Sequence, residues 1–160
     1  MDATSIARLT STLGISTSLL MSGVYLCSTL VAVPSILHLP AAQSTSVFYR
    51  VYHSGAKVVV PLSIISTTLY ATSAYADPSR RAGYAVAGVL AIASMPWTVA
   101  VMGGLNQELL AMSTDGKMME KVGEEGVTKL LNRWIVLNGV RAGFALLAGI
   151  VGGLAFTGGL

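Results

Sequence analysis

The stretch ISTSLLMSGVYLCSTLVAVPSILHL, residues 15–39, decides the fold class of this chain. It lies within a longer segment, residues 9–49, in which no residue is charged. A helix needs about 20 mostly apolar residues to cross the hydrocarbon of a bilayer. The run is longer than the core of a signal peptide and Asp2 precedes it, which favours a retained span over a cleaved leader. We therefore predict a first membrane-spanning helix here.

The composition of the whole chain agrees with a membrane protein. Of its 160 residues, 53% are hydrophobic and only 11% are charged. A water-soluble domain is about one quarter charged, and a disordered chain has still more charge and fewer apolar residues. The net charge is only +3, and no basic run is longer than Arg80-Arg81. This pattern argues against nucleic acid as a partner, because nucleic-acid binding requires a basic patch or stripe.

Three further charge-free stretches follow the first, at residues 58–76, 82–107 and 142–160. Together the four stretches predict an all-α fold, a four-transmembrane-helix bundle with both termini on one side, and membrane lipids as its surroundings. The length allows one domain, residues 1–160. We place the spans at about residues 14–38, 57–76, 82–108 and 130–158.

The three connections between the spans differ in character. Residues 40–56 are amphipathic, so we expect them to lie at the membrane interface or to fold back into the bundle. Residues 77–81 read Asp-Pro-Ser-Arg-Arg and predict a tight turn. Residues 112–128 contain most of the acidic residues and predict a solvated loop. Cys27, the only cysteine, lies in an apolar run and is expected to be buried and inert.

Polar residues, which are energetically unfavourable in hydrocarbon, lie at one end of the predicted bundle. Because consecutive spans run antiparallel, one end of the bundle contains the end of the first span, the start of the second, the end of the third and the start of the fourth. The polar residues at these four places are His38; Arg50, Tyr52, His53 and Lys57; Asn106 and Glu108; and Arg133, Trp134, Asn138 and Arg141. We predict a site at this end.

Arg141 is the most informative of these residues. It lies about 16 Å into the fourth span at 1.5 Å per residue, where an arginine is costly unless it faces a polar interior or reaches the headgroups. Trp134, Asn138 and Arg141 have the spacing i, i+4, i+7 and therefore share one helical face. They are a candidate wall for a flat, oxygenated ligand. The alternative is an arginine that reaches the headgroups, with Trp134 in the interfacial aromatic belt.

The remaining candidates carry weaker signals. Asn106 is a candidate partner for Arg141 or for a ligand carbonyl, or it merely ends a helix. His38 and His53 are candidate general bases near neutral pH if they approach the same cavity. Two histidines without carboxylates at ligand spacing do not predict a metal site, and no dinucleotide or phosphate-binding fingerprint is present.

Taken together, these segments resemble the fungal anthrone oxygenase-like family of small membrane proteins, also called DUF1772. The resemblance covers nearly the whole chain, in the same order. In the third span this chain has Gly104-Leu105 where the family commonly has Pro-Thr. The matching pieces are Val33-Pro34-Ser35-Ile36-Leu37, Tyr52-His53-Ser54-Gly55 with Pro61, Pro96-Trp97-Thr98 with Met102, Asn106 and Leu109, and the W-x-x-L-N-x-V-R pattern at Trp134–Arg141.

The resemblance implies a monooxygenase of secondary-metabolite biosynthesis. It would oxidise a lipophilic polyketide anthrone to an anthraquinone with O2 as co-substrate and without a metal or flavin. By this resemblance we expect Arg141 to be the cation beside the substrate oxygen. Asn138 and Asn106 would hydrogen-bond to carbonyl or hydroxyl groups, and Trp134 and Tyr52 would stack on the rings. The base would be His53 or His38.

Two other functions stay open at this point. One is a different multi-pass membrane enzyme, such as a cyclase or isomerase acting on a lipophilic natural product. The other is a non-catalytic membrane scaffold that tethers soluble pathway enzymes. Only the oxygenase should consume O2 with an anthrone, whereas a scaffold should tolerate loss of Arg141 and Asn138.

Overall fold

The computed structural model describes residues 2–159, and within them it has helices and turns but no strand. Its α-helices are α1 Ala3–Cys27, α2 Ala41–Ala76, α3 Arg81–Ala100, α4 Gly103–Met112 and α5 Gly116–Thr157. Shorter helical turns occupy Ser28–Ala32, Pro34–Ile36 and Pro78–Arg80. Four segments are long and apolar enough to cross a membrane: Ala3–Ile36, Ala41–Ala76, Pro78–Ala100 and Gly116–Thr157. The all-α, four-span bundle predicted from the sequence is confirmed.

The four long helices pack as a ring. In this ring α1 lies between α2 and α5, α3 also lies between α2 and α5, and the short α4 packs against α2 and α5. Thr4, the turn Pro78–Arg80 and Phe156 line one common recess. Within residues 2–159, the start of α1 and the end of α5 therefore lie at the end that carries the turn between α2 and α3, as an even number of spans predicts. We call this the turn end and the opposite one the α4 end.

The predicted tight turn at residues 77–81 is present and is organised by Asp77. Ser79 donates its hydroxyl to Asp77 Oδ1 at 2.5 Å and its backbone N–H to the same oxygen at 3.2 Å. These bonds stabilise the carboxylate and hold the pKa of Asp77 below its usual value. Arg80 donates to the backbone oxygen of Phe156, which ties the turn to the end of α5.

Tyr70 fills the half of the bundle nearer the turn end. Its side chain is fully buried, and its hydroxyl donates to the backbone oxygen of Ala148 at 3.0 Å. A Cβ atom on Gly152 would lie 2.5 Å from Tyr70 Oη, and one on Gly14 would lie 3.1 Å from the ring. Small residues at these two positions let α1 and α5 approach α2 closely. This half of the bundle is tightly packed around the tyrosine.

The connection expected at residues 40–56 is instead the first part of α2, which begins at Ala41. The first N–H of this helix, from Ala41, donates to Glu124 Oε2 at 2.7 Å. Phe48 is fully buried while Tyr49 is 41% exposed. The amphipathic pattern of this stretch therefore belongs to a helix that packs one face on the bundle.

The prediction of a solvated loop at residues 112–128 is wrong. α4 continues to Met112, and α5 begins after Asp115, whose carboxylate accepts hydrogen bonds from the first backbone N–H groups of the helix. Gly123 has a φ of +72°, which interrupts the helix and which glycine adopts readily. Val127 is buried with Met112 in the apolar cluster of the α4 end. Burial of the apolar residues between the acidic ones favours helix over loop.

The third predicted span, residues 82–108, is divided between two helices. α3 ends at Ala100 and α4 begins at Gly103. The break, at residues 101–102, directly precedes two consecutive glycines, which have low helix propensity. Met102, at the break, is fully buried. The interruption is therefore inside the bundle, and α4 packs there against α2 and α5.

Candidate functional site

A cavity of about 290 Å³ lies between the four long helices. Most of its wall is apolar, as at Val24, Val51 and Val59, and its polar groups include the side chains of Asn138 and Arg141. A concave apolar surface with a few convergent polar groups is typical of a small-molecule site. This cavity is the candidate functional site.

Arg141 supplies the charge of the cavity wall and is only 8% exposed. Its Nη1 donates to Asn138 Oδ1 at 3.2 Å, and its Nη2 donates to the Tyr25 hydroxyl at 3.1 Å. The guanidinium carbon lies 4.3 Å from the centre of the Tyr25 ring, within the range of a cation–π interaction. These contacts fix the position and plane of the guanidinium.

The charge of Arg141 is not balanced by a carboxylate in the described part of the chain. The ion pairs found within residues 2–159 are Arg80–Asp77 and Lys129–Glu125, and neither lines the cavity. The Nε atom of Arg141 is buried and has no hydrogen-bond partner. A buried cation is costly unless polar or anionic groups face it. The unbalanced charge suits a ligand oxygen that carries negative charge.

Asn138 lies one turn before Arg141 and holds it in place. Its side-chain amide donates to the backbone oxygen of Tyr25 at 3.0 Å and to Thr29 Oγ1 at 2.8 Å. Thr29 belongs to a π-helical stretch, Ser28–Ala32, and such widened turns are frequent at functional sites. Because both amide hydrogens bond to α1 and its extension, Asn138 fixes Arg141 rather than offering a free donor to a ligand.

Trp134 forms part of the cavity wall, and Asn106 supports it from α4. Trp134 Nε1 donates to Asn106 Oδ1 at 2.9 Å in a buried hydrogen bond. Phe48 packs edge-on against the indole, with ring centres 5.2 Å apart. The predicted face of Trp134, Asn138 and Arg141 thus lines the cavity, whereas Asn106 lies outside the lining and orients the indole.

Tyr52 also lines the cavity, from α2, but the two histidines do not. His53 is exposed, and its ring centre lies 4.3 Å from that of Tyr49 and 5.4 Å from that of Tyr52. His38 is exposed in the turn before α2. The expectation that both histidines approach the cavity is not met. On a helix, residue 53 points about 100° away from residue 52, so a helix that turns Tyr52 inward turns His53 outward.

Tyr25 is the main site residue that sequence analysis missed. It lines the cavity, accepts a hydrogen bond from Arg141, and donates its hydroxyl to Ser94 Oγ at 3.1 Å. The available signal is its spacing: Tyr25 and Thr29 are four residues apart in an apolar run and share one helical face. Cys27, expected to be buried, is exposed, because it lies on another face of α1.

The arrangement can bind a flat lipophilic molecule and stabilise a negative oxygen on it. Trp134 and Tyr52 supply aromatic surface, and Arg141 supplies a preorganised cation in a site of low dielectric constant, where such a charge acts strongly. Within residues 2–159, no three His, Cys, Asp or Glu side chains lie close enough together to hold a metal ion.

Comparison with known proteins identifies relatives along most of the chain. The sequence profile of a family described as anthrone oxygenase matches residues 48–151. Anthrone oxygenase AgnL2 of Paecilomyces divaricatus is 29% identical over 146 residues, which cover 86% of this chain and 88% of the relative. Anthrone oxygenase encC of Aspergillus fumigatus is 29% identical over 151 residues, covering 82% and 83%. No solved structure is significantly similar to the chain.

Proposed function

The chain belongs to the anthrone oxygenase family, and on this premise we propose that it oxidises a polyketide anthrone to an anthraquinone with O2. We propose that this reaction belongs to secondary-metabolite biosynthesis. We also propose that the chain is a multi-pass membrane protein. The observation that carries it is the buried, unpaired cation of Arg141 on the wall of an apolar cavity. The names of the relatives supply the substrate class.

The proposed reaction uses the reactivity of the anthrone itself. An anthrone has a methylene group between two aromatic rings, and loss of one methylene proton gives an anthrolate whose central ring is aromatic. The anthrolate passes one electron to O2, and the resulting radical and superoxide combine at the former methylene carbon to form a peroxide. The peroxide takes back the proton that the anthrone lost, and loss of water then leaves a carbonyl group. One oxygen atom enters the quinone, and the other leaves as water with the two methylene hydrogens.

In this scheme Arg141 stabilises the anthrolate oxygen. The unbalanced charge of Arg141 favours the anion over the neutral anthrone, so the interaction strengthens as the proton leaves. Asn138 and Tyr25 hold the guanidinium, so it needs no rearrangement when the charge forms. Trp134 and Tyr52 contact the rings of the substrate, and Asn106 keeps the indole in place.

We propose that His53 rather than His38 accepts the methylene proton and later returns it to the peroxide. The ring of His53 contacts Tyr52, which lines the cavity, and an imidazole can accept a proton and give it back. The proton would pass between the cavity and His53 on the Tyr52 side of the wall, in both directions during one turnover.

The proposal includes no metal or flavin, because the electron-rich anthrolate can itself reduce O2. The apolar wall suits both reactants, since O2 dissolves better in hydrocarbon than in water. The protein then contributes binding, orientation and charge stabilisation.

The test is quinone formation by the purified protein in phospholipid vesicles. Anthrone also oxidises spontaneously, so empty vesicles and vesicles with the Arg141→Met variant are the matched controls. The proposal predicts quinone formation well above both. A cyclase, an isomerase or a scaffold would leave the anthrone to oxidise at the spontaneous rate, and that result would refute the proposal.

A further inference from the structure

The cavity opens on the side of the bundle. Of the residues that line it, only Val60 on α2 and Val99 on α3 are exposed, at 43% and 79%. The other lining residues are buried or half-buried. α2 and α3 are neighbours in the ring, and both exposed residues are apolar. The opening therefore lies between these two helices, on the outer surface that faces lipid.

The opening and the cation lie at nearly the same depth. At 1.5 Å per residue, Val60 is about 24 Å from the end of α2 at Ala76, and Val99 is about 27 Å from the start of α3 at Arg81. Arg141 is likewise about 24 Å from the end of α5. The hydrocarbon core of a bilayer is about 30 Å thick. With the turn end at one interface, all three residues lie just inside the opposite edge of the hydrocarbon.

Two prolines lie beside this opening. Pro61 is inside α2 and Pro96 is inside α3, and each removes one backbone hydrogen bond from its helix. The two helices touch where Thr67 donates its hydroxyl to the backbone oxygen of Gly88 at 3.2 Å. Because the two helices are antiparallel, the residues before Thr67 on α2 lie beside the residues after Gly88 on α3. Both prolines therefore lie at the level of the opening. Loss of a backbone hydrogen bond makes each helix easier to bend at the level of the opening.

We propose that the substrate enters the cavity sideways from the bilayer through this opening and that Val60 and Val99 set its width. The inference rests on the proposed function for the substrate class. A phenolic anthrone has apolar rings and polar hydroxyl groups, so it concentrates where hydrocarbon meets headgroups, as tyrosine and tryptophan side chains do. That is the depth of the opening, and the product leaves by the same route.

The test blocks the opening reversibly. Val60→Cys and Val99→Cys are made separately in a Cys27→Ala background and placed in phosphatidylcholine vesicles. Benzyl methanethiosulfonate converts each thiol to a benzyl disulfide, and a reductant removes the benzyl group again. Binding of 1,8-dihydroxyanthraquinone is followed by stopped-flow quenching of tryptophan fluorescence, since Trp134 lines the cavity.

A blocked route slows entry and exit alike without changing the site. We expect the benzyl group at either position to lower both the association and the dissociation rate about tenfold while the Kd stays constant. Reduction should restore both rates. The matched controls are Ile64→Cys on α2 and Val89→Cys on α3, which are 52% and 66% exposed and lie outside the cavity lining. Their rates should not change.

Each outcome separates this inference from the proposed function. Unchanged rates in both opening variants, with modification verified by mass, would overturn the lateral opening and indicate entry from the α4 end past Tyr52. Slowed binding in a protein that does not oxidise anthrone would support the opening and refute the proposed function. In the last case, the kcat and KM of anthrone oxidation stay the same after the benzyl group is attached at either position. That result would support the proposed function and overturn the lateral opening.

Discussion

Replacing Arg141 with Met removes the guanidinium and leaves an unbranched apolar side chain at the cavity wall. The parent guanidinium donates to Asn138 and Tyr25 at 3.2 and 3.1 Å, and no carboxylate within residues 2–159 pairs with its charge. If the guanidinium stabilises the anthrolate oxygen, its loss affects the transition state more than the ground state. Removing one preorganised donor from such a site lowers kcat about 100- to 1000-fold, and we expect a loss in this range.

The Arg141→Met variant should still fold. Replacing Arg141 with Met removes the desolvation cost of a buried charge, and replacing whole buried ion pairs with apolar side chains is often neutral or stabilising by about 1–4 kcal/mol. The two acceptors left behind, on Asn138 and Tyr25, each cost about 1 kcal/mol, so the net change in the free energy of unfolding is near zero. Arg141→Lys keeps a charge, but an ammonium lacks the planar fork that meets both partners. We expect its turnover to lie between those of the parent and the Met variant.

The assay measures quinone absorbance per folded protein, after subtraction of spontaneous oxidation, with thermal unfolding recorded in parallel. Arg133→Met is the matched control, because Arg133 is exposed on the same helix and does not line the cavity. This control should turn over at the parent rate. Folded Met and Lys variants that also match the parent rate would refute the reasoning and reduce Arg141 to a structural residue.

Three further predictions concern packing, the base and the cofactor. Gly152→Ala should destabilise the protein by about 1–3 kcal/mol through its clash with Tyr70, measured by thermal unfolding, whereas Gly143→Ala, with no atom within 4 Å of the added Cβ, should not. His53→Gln should lower kcat, and His38→Gln should leave kcat unchanged. Exhaustive chelation of the purified protein should leave turnover unchanged, and restoration of a lost activity by one metal would contradict this.

The spans were predictable because charge is expensive in hydrocarbon. Charge-free stretches of sufficient length therefore mark the helices that cross the bilayer. The same rule does not fix where a helix ends, because a helix satisfies its own backbone hydrogen bonds in water as well. This is why α2 extends back to Ala41 and why α5 includes residues predicted to form a loop. In this first part of α5 the acidic side chains lie on an exposed face of the helix, so they do not mark a loop.

The face that carries Trp134, Asn138 and Arg141 was predictable because helical periodicity is a local property of the sequence. Tyr25 was not, because its contact with Arg141 depends on the rotation and register of α1 against α5. That register is set by distant packing, including the fit of Tyr70 against glycine. The orientation of His53 has the same origin, since the sequence does not fix which face of α2 points inward.

The most direct test of the central claim measures O2 uptake, quinone formation and hydrogen peroxide together. The sample is the purified protein in vesicles with anthrone, and the Arg141→Met variant is the reference. We predict one O2 consumed per quinone formed, at a rate well above the reference, with no hydrogen peroxide released, because the second oxygen atom leaves as water. Quinone formation no faster than in the reference, or one hydrogen peroxide released per quinone, would contradict the account.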